Sequence, residues 1–276
     1  MLTRADLLAQ GFRPRQITLA VRAGELIRVR RNHYVAQSSP DTERAVRVGG
    51  RLACISLLAA FGVFVLDADA LHVHLLRTMS RLRSPDDARR TLDARTRRGL
   101  VLHWWPLSRP REVLVGQVGL FDAVVQAVRC QTPRAAVATL DSVLHLGILT
   151  WDEVRDVFTH LPARYRPLLR LVDGIAESGP ETLVRLMLRQ MGLRYEAQVE
   201  IAGVGRVDFV VEGWLIIECD SKEFHEGWAK QRRDRKRDLA AARLGFVTLR
   251  PLAEDVMYRP EEVLDALRGL ARGCRR

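Results

Sequence analysis

The sequence predicts a protein of the α/β class with a mixed α+β architecture in three segments. Apolar residues make up 47% of the 276 residues, which is enough for a substantial core. Two short helical patterns and a strand pair open the chain, and a helix, three strands, a helix and a strand follow Pro180. We therefore expect an N-terminal winged helix at residues 1–38, a helical and mixed middle region at 39–174, and an αβββαβ core within residues 175–276.

Capping and breaking residues define the N-terminal segment. Thr3 is placed to cap a first helix that runs to Gln10, and Pro14 suits the first turn of a second helix, which ends before Gly24. Residues 26–30 and 33–35 flank a turn and predict a basic β-hairpin. A helix, a turn, a second helix and a hairpin give the layout of a winged helix.

Residues 2–8 and 24–34 also resemble the winged-helix segment of AbiEi-type abortive-infection antitoxins. The resemblance implies DNA binding, with the second helix in the major groove and the hairpin on the backbone. The side chains expected to contact DNA are Arg13, Arg15, Gln16, Arg22, Arg28, Arg30 and Arg31. The alternative is a small helical cap whose arginines are merely solvated.

The middle region carries no chemical signature. It predicts helices at 42–61, 121–129, 133–144, 151–159 and 163–173, and strands at 71–75 and 101–105. His72 and His74 alternate on a strand and could ligate a metal, although such a pair is more often one polar face. The four cysteines include no CxxC pair, so neither a zinc ribbon nor a disulfide framework is indicated.

Three carboxylates near the C-terminal end carry the strongest functional signal. Asp208 precedes the turn-forming pair Glu212 and Gly213, and Glu218 and Asp220 follow it on the second strand of the predicted hairpin. Crowded carboxylates repel one another, and a bound divalent cation commonly relieves the repulsion. Because the chain carries a net charge of +11, a phosphodiester is the substrate that such a metal would meet.

Residues 175–255 resemble the very-short-patch-repair-endonuclease-like branch of the PD-(D/E)XK nuclease superfamily. The matching pieces are residues 178–182, Arg206-Val207-Asp208-Phe209, Ile216-Ile217-Glu218-Cys219-Asp220, Phe224-His225, residues 233–238 and residues 244–250. The resemblance implies a restriction-endonuclease-like core and metal-dependent cleavage of DNA.

The resemblance also implies roles for individual residues. Asp208, Glu218 and the backbone carbonyl of Cys219 would hold Mg²⁺ or Mn²⁺, since hard oxygen ligands suit these ions. Glu181 matches an acidic residue that orients metal-bound water, and His225 matches a histidine near the scissile phosphate. Asp220 occupies the position where many relatives have a lysine, and Lys222 is the nearest substitute.

The helix that begins near Trp228 is strongly basic. Its Lys230, Arg233 and Arg237 are expected to follow the DNA backbone beside the carboxylates. The alternative is a solvated amphipathic helix whose aspartates pair with arginines three or four positions away.

We therefore expect a cytoplasmic metal-dependent DNA endonuclease with DNA as its partner. The N-terminus lacks the apolar core of a signal peptide, and no stretch is long and apolar enough to span a membrane. One alternative is a non-enzymatic, AbiEi-like antitoxin that regulates its own operator and has a cognate toxin. Another is an antitoxin whose basic surface binds an acidic toxin. The oligomeric state is left open.

Overall fold

A computed structural model describes residues 2–23, 25–30, 32–35, 39–113, 116–219 and 228–273; for residues 30, 33, 35, 228–231 and 273 it describes the backbone alone. The chain forms two compact units. The first comprises Met1–Gln131 and Asp152–Tyr165, and the second comprises Thr132–Trp151 and Arg166–Arg276. The chain therefore passes between the units three times. The mixed α and β composition expected from the sequence is confirmed.

The first unit opens with a short strand that was not predicted, β1 (Leu2–Thr3). The helix, helix and hairpin expected from the sequence follow as α1 (Arg4–Ala9), α2 (Pro14–Ala23), β2 (Ile27–Arg30) and β3 (His33–Val35). Thr3 and Asp6 form a capping box at the start of α1, with each side chain accepting the other residue's backbone N–H. The strands form an antiparallel sheet in the order β1-β3-β2, and Leu7, Ile17, Leu26 and Tyr34 form the local core.

The rest of the first unit surrounds a second three-stranded sheet. Its elements are α3 (Pro40–Val48), β4 (Arg51–Leu52), α4 (Cys54–Ala60), β5 (Leu71–His74), β6 (Leu100–His103), a 3-10 helix (Pro110–Glu112) and α5 (Leu120–Cys130). After α6 (Pro133–His145), which lies in the second unit, come α7 (Trp151–Thr159) and a 3-10 helix (Ala163–Tyr165). The sheet order is β4-β5-β6, with β4 antiparallel and β6 parallel to β5.

The single helix predicted over residues 42–61 is wrong. Gly49 adopts a left-handed conformation at φ 115° and ends α3, and β4 then pairs with β5 before α4 begins. A Cβ atom at Gly50 would lie 2.3 Å from the backbone oxygen of His74, so only glycine lets the two backbones approach this closely.

The second unit contains the predicted α-β-β-β-α-β order. Its elements after α6 are α8 (Arg166–Leu169), α9 (Gly179–Gln190), β7 (Tyr195–Ile201), β8 (Gly205–Val211), β9 (Leu215–Ile217), α10 (Trp228–Arg243), β10 (Val247–Leu249), α11 (Ala253–Tyr258) and α12 (Pro260–Gly273). The sheet order is β10-β9-β8-β7, antiparallel except for the parallel pair β10-β9. The helix expected at 163–173 is shorter than predicted, and α11 was not predicted.

A buried ion pair joins α6 to α9. Arg185 and Asp141 are each about 1% exposed, and their Nη2 and Oδ2 atoms lie 2.7 Å apart. Asp141 also accepts hydrogen bonds from the Thr182 hydroxyl at 2.9 Å and from the backbone N–H groups of Asp173 and Gly174 at 3.0 and 3.2 Å. These last two bonds hold the backbone of Asp173 and Gly174, shortly after the end of α8. Asp141 therefore fixes both α9 and the segment that leads into it.

Within the part of the chain that the structure describes, no helix combines the length and the apolar character needed to cross a bilayer.

Candidate active site

The predicted carboxylates Glu181, Asp208 and Glu218 come from three elements of the second unit. Glu181 lies in the first turn of α9, Asp208 lies within β8, and Glu218 directly follows β9. The backbone N–H of Glu218 donates to the carbonyl of Leu249, so the ladder between β9 and β10 continues to this position. We refer to these three side chains as the carboxylate cluster.

Glu181 is held in place by three hydrogen bonds. Its Oε1 accepts from the Ser178 hydroxyl at 2.7 Å, and its Oε2 accepts from the Glu177 backbone N–H and from Nε2 of Gln198, both at 2.9 Å. Ser178 is also the N-cap of α9, so the cap and the carboxylate position each other. Burial raises the pKa of Glu181 above its ordinary value, and the charge on Asp208 raises it further.

Asp208 is oriented by the backbone that follows β9. The N–H of Cys219 donates to Oδ2 of Asp208 at 2.7 Å, which joins the middle strand of the sheet to the end of its neighbour. Burial raises the pKa of Asp208, and the nearby Glu177 carboxylate adds to this effect, whereas Arg206 and Arg237 act in the opposite direction. A half-buried carboxylate with a raised pKa is a feature of functional sites.

Glu218 is buried between two arginines. Its Oε1 lies 2.6 Å from Nη2 of Arg237 on α10, and its Oε2 forms an ion pair with Arg250, which also bonds Asp238. Burial raises the pKa of Glu218, and Arg250 and Arg237 partly offset the rise. Arg237 additionally donates to the backbone carbonyls of Val204 and Arg206.

Gln198 is a site residue that the sequence pattern did not single out. It lies in β7 between the pairs Ala197–Phe209 and Val199–Val207, which places it opposite Asp208 in the register. Its backbone adopts a left-handed φ of 55°, which is uncommon for a residue other than glycine. Its Nε2 bonds Glu181, but its buried Oε1 has no hydrogen-bond partner within the described residues. The signal for Gln198 in the sequence was a polar side chain within a predicted strand.

Two oxygen ligands in this part of the sheet suit a hard divalent cation. Asp208 has a carboxylate, and Gln198, opposite it in the register, has an amide oxygen without a hydrogen-bond partner among the described residues; Mg²⁺ and Mn²⁺ accept both kinds of ligand. Cys219 contacts Asp208 through its backbone N–H. Glu218 can join such a site only when its arginine partners give way, because a cation and a guanidinium group compete for the same oxygens. The side-chain ligand atoms of the three carboxylates do not gather within 4.8 Å of one another.

The structure places the remaining predicted residues as follows. Asp220, Lys222, His225 and Arg31 lie outside the described residues, and for Arg30 and Lys230 only the backbone is described, in β2 and α10. Arg13, Arg15, Arg22, Arg28 and Arg233 are exposed on the surface. Gln16 is also exposed, and its Oε1 accepts the backbone N–H of Arg13 at 2.7 Å. Arg237 instead points to Glu218.

The C-terminal region of the chain is restriction-endonuclease-like. Residues 181–269 match the sequence model of a restriction-endonuclease-like family, REase_MTES_1575, and this stretch contains the whole carboxylate cluster. Families of this kind generally use divalent metals.

Two proteins of Mycobacterium tuberculosis are similar to nearly the whole chain. They are the uncharacterised proteins MT2308 of strain CDC 1551 / Oshkosh and Rv2248 of strain ATCC 25618 / H37Rv. Each is 29% identical over 263 residues, which cover 89% of this chain and 92% of the relative. No solved structure is significantly similar to the chain.

Proposed function

We propose that this chain is a metal-dependent DNA endonuclease that hydrolyses phosphodiester bonds. The observation that carries the proposal is the carboxylate cluster. Three carboxylates from α9, β8 and the end of β9 are at least half-buried, and burial raises the pKa of each. Burying a carboxylate costs free energy, so buried carboxylates that add nothing to stability are expected mainly at functional sites. A catalytic metal site is a function of this kind.

The resemblance implies that Asp208, Glu218 and the backbone carbonyl of Cys219 would hold the cation, with Mg²⁺ or Mn²⁺ as the ion. When bound, such an ion polarises the scissile phosphate and lowers the pKa of a coordinated water. The reaction is attack of water on phosphorus with breakage of the bond to the 3′ oxygen, which takes up a proton. His225 and Lys222 are the proposed acid-base groups, and Asp220 is a proposed further carboxylate.

The chain's own residues prepare the site in two ways. The Cys219 N–H fixes one oxygen of Asp208, and the Ser178, Glu177 and Gln198 donors fix Glu181, so neither carboxylate must reorganise when substrate binds. Among the described residues of α10, the exposed basic side chains give a surface that attracts phosphates; they are Arg232, Arg233, Arg235, Lys236 and Arg243. Residues 1–38 are proposed to bring the enzyme to DNA.

The pairing of Glu218 with Arg237 and Arg250 favours a second candidate function. In this arrangement the two guanidinium groups neutralise the carboxylate, as in a nuclease fold that is retained for binding alone. The chain would then be an antitoxin-like regulator that binds operator DNA through residues 1–38, with a cognate toxin as a further partner.

Nicking of supercoiled plasmid DNA in Mg²⁺ or Mn²⁺ separates the two candidates. For the endonuclease, Asp208→Ala and Glu218→Ala should each lower the nicking rate about 10²–10³-fold, the loss typical of removing one electrostatic stabiliser. EDTA should abolish nicking. Glu200→Gln removes an exposed carboxylate from the same sheet and should leave the rate unchanged. Nicking that is insensitive to both alanine variants would contradict the proposed site.

The regulator predicts a different pattern. Operator DNA should bind equally well to wild-type protein and to Asp208→Ala, and binding should be lost when residues 1–38 are deleted. No metal-dependent nicking should be seen at any protein concentration. Binding that persists without residues 1–38 would contradict the role assigned to that segment.

A further inference from the structure

Four side chains with metal-ligating atoms lie close together inside the first unit. In the sequence, all four precede the residues of the carboxylate cluster. They are Cys54, His72, His103 and Cys130, and one ligand atom of each lies within 4.8 Å of the ligand atoms of all the others. Cys54 is fully buried, His72 and His103 are 4% and 2% exposed, and Cys130 is partly buried. We refer to these side chains as the Cys/His cluster.

Each member of the Cys/His cluster comes from a different element. Cys54 is the first residue of α4, His72 lies on β5, His103 ends β6, and Cys130 ends α5. Strands β5 and β6 are paired in parallel, and α4 packs on α5. The cluster therefore lies where two helices and two strands meet, and a shared ligand would tie all four together.

The backbone conformation at Cys54 and the hydrogen bonds next to it fix the position of this residue in the Cys/His cluster. Cys54 has a left-handed φ of 52°, an unfavourable conformation for a residue with a side chain. The N–H of the preceding Ala53 donates to the carbonyl of His72 at 3.0 Å, and the Ser56 hydroxyl accepts the N–H of His72 at 2.9 Å. These bonds fix the start of α4 directly against the strand that carries His72.

The distances from Nδ1 of His72 to two of the other ligand atoms agree with a tetrahedral zinc site. The Nδ1 atom of His72 lies 3.0 Å from Nε2 of His103 and 3.7 Å from Sγ of Cys130. A tetrahedron with ordinary zinc bond lengths has N–N edges of about 3.3 Å and N–S edges of about 3.6 Å. The observed separations therefore need adjustments of only a few tenths of an ångström to accept the ion.

The charge balance and the surroundings also suit zinc. Two thiolates and two neutral imidazoles around Zn²⁺ carry no net charge, so the complete site can be buried at low cost. Trp105 covers one side, with its ring 5.2 Å from the ring of His103, and the guanidinium group of Arg129 lies over Trp105 at 3.9 Å. His74, the other histidine of β5, bonds Gln126 and is not part of the cluster.

We propose that Cys54, His72, His103 and Cys130 form a structural Zn²⁺ site. Four protein ligands complete a tetrahedron and leave no position for water or substrate, which separates this site from a catalytic one. The ion holds α4, α5, β5 and β6 together. The site is independent of the proposed nuclease chemistry, which uses different residues and harder ligands.

The first test is metal content of the full-length protein by inductively coupled plasma mass spectrometry. Wild-type protein purified with zinc in the buffer and then desalted should carry about one zinc per chain. Cys54→Ser, Cys130→Ser and His103→Gln should lose most of it. His74→Gln is the matched control, because it replaces an equally buried histidine directly opposite His103 on the neighbouring strand β5, and it should keep its zinc. Zinc content that is the same in all five proteins would overturn the proposal.

The second test needs no variant and so remains decisive if the substituted proteins fail to fold. Wild-type protein stripped by chelator and titrated with Co²⁺ should show a thiolate-to-cobalt charge-transfer band and the intense visible bands of tetrahedral Co²⁺. Zinc should displace the cobalt and raise the thermal midpoint. A weak octahedral spectrum, no uptake of cobalt, or a Cys54–Cys130 disulfide found by peptide mass spectrometry in protein purified without reductant would overturn the proposal.

Discussion

Replacing Asp141 with asparagine should destabilise the second unit more than any surface substitution. Arg185 and Asp141 are both about 1% exposed, so the substitution leaves a buried guanidinium group without its main counter-charge. Breaking a buried ion pair by removing one partner costs about 3–5 kcal/mol. Asp173 lies 2.8 Å from Nη1 of Arg185 and remains as a second partner, which places the expected loss near the lower end, at about 3 kcal/mol.

Asp265→Asn is a close control for this prediction. Asp265 and Arg268 also lie 2.7 Å apart in the second unit, but their side chains are 72% and 43% exposed. Exposed pairs of this kind contribute less than about 1 kcal/mol. The two substitutions thus remove the same charge from an arginine at the same distance, but only Asp141 is buried and only Asp141 accepts further hydrogen bonds from Thr182, Asp173 and Gly174.

Urea unfolding followed by circular dichroism measures the free energy of unfolding, and hydrogen exchange over residues 179–190 shows whether α9 is released. A loss of about 3 kcal/mol corresponds to a fall of about 6–12 °C in Tm for a domain of this size. The double variant Asp141→Leu with Arg185→Met should recover part of the loss, because no fully buried guanidinium group is left without its counter-charge, although the partly exposed Asp173 also loses Arg185. Equal losses for Asp141→Asn and Asp265→Asn would refute the reasoning from burial.

The other predictions concern charge and backbone. Asp208→Asn should lower the nicking rate as Asp208→Ala does, yet raise stability at pH 7. Burial raises the folded-state pKa of Asp208, so wild-type protein gains stability as the pH falls through that pKa, and the advantage of the variant in Tm should shrink towards pH 4. Arg237→Met should lower the free energy of unfolding in urea by about 1–3 kcal/mol, because Glu218 loses a charged partner. Arg233→Ala should weaken DNA binding uniformly across sequences and reduce the salt slope by about 1. Gly50→Ala should cost at least about 1–3 kcal/mol in thermal or urea unfolding, since its Cβ meets the oxygen of His74.

Elements with local start and stop signals could be predicted from the sequence. Pro14 starts α2, which ends at Ala23 as expected, and α7 has the predicted bounds. The order of elements from α9 to β10 was also predictable, because apolar runs, turn residues and one basic helix alternate there. These signals reside within a few neighbouring residues, so the chain's tertiary contacts do not overrule them.

Features that depend on distant contacts could not be predicted. Gly49 and Gly50 weaken the helix predicted over residues 42–61, but the strand β4 that follows them depends on the approach of Gly50 to the backbone of His74, which is distant in the sequence. Gln198 gains a site position only because β7 pairs with β8 in a register that places it opposite Asp208. The Cys/His cluster could not be predicted from paired cysteines, because its members are spread from α4 to α5. Zinc motifs are recognised from sequence by short, regular spacing.

The three passages of the chain between the two units have a consequence for synthesis on the ribosome. Domains generally fold as units in the order in which they emerge. Here the first unit is complete only when residues up to Tyr165 have been made, and by then α6, which belongs to the second unit, has already emerged. Helix α6 packs against α9, so its apolar residues, several of which are fully buried in the folded chain, lack this partner until α9 has been translated. Until α9 is available, the apolar side chains of α6 can therefore associate prematurely.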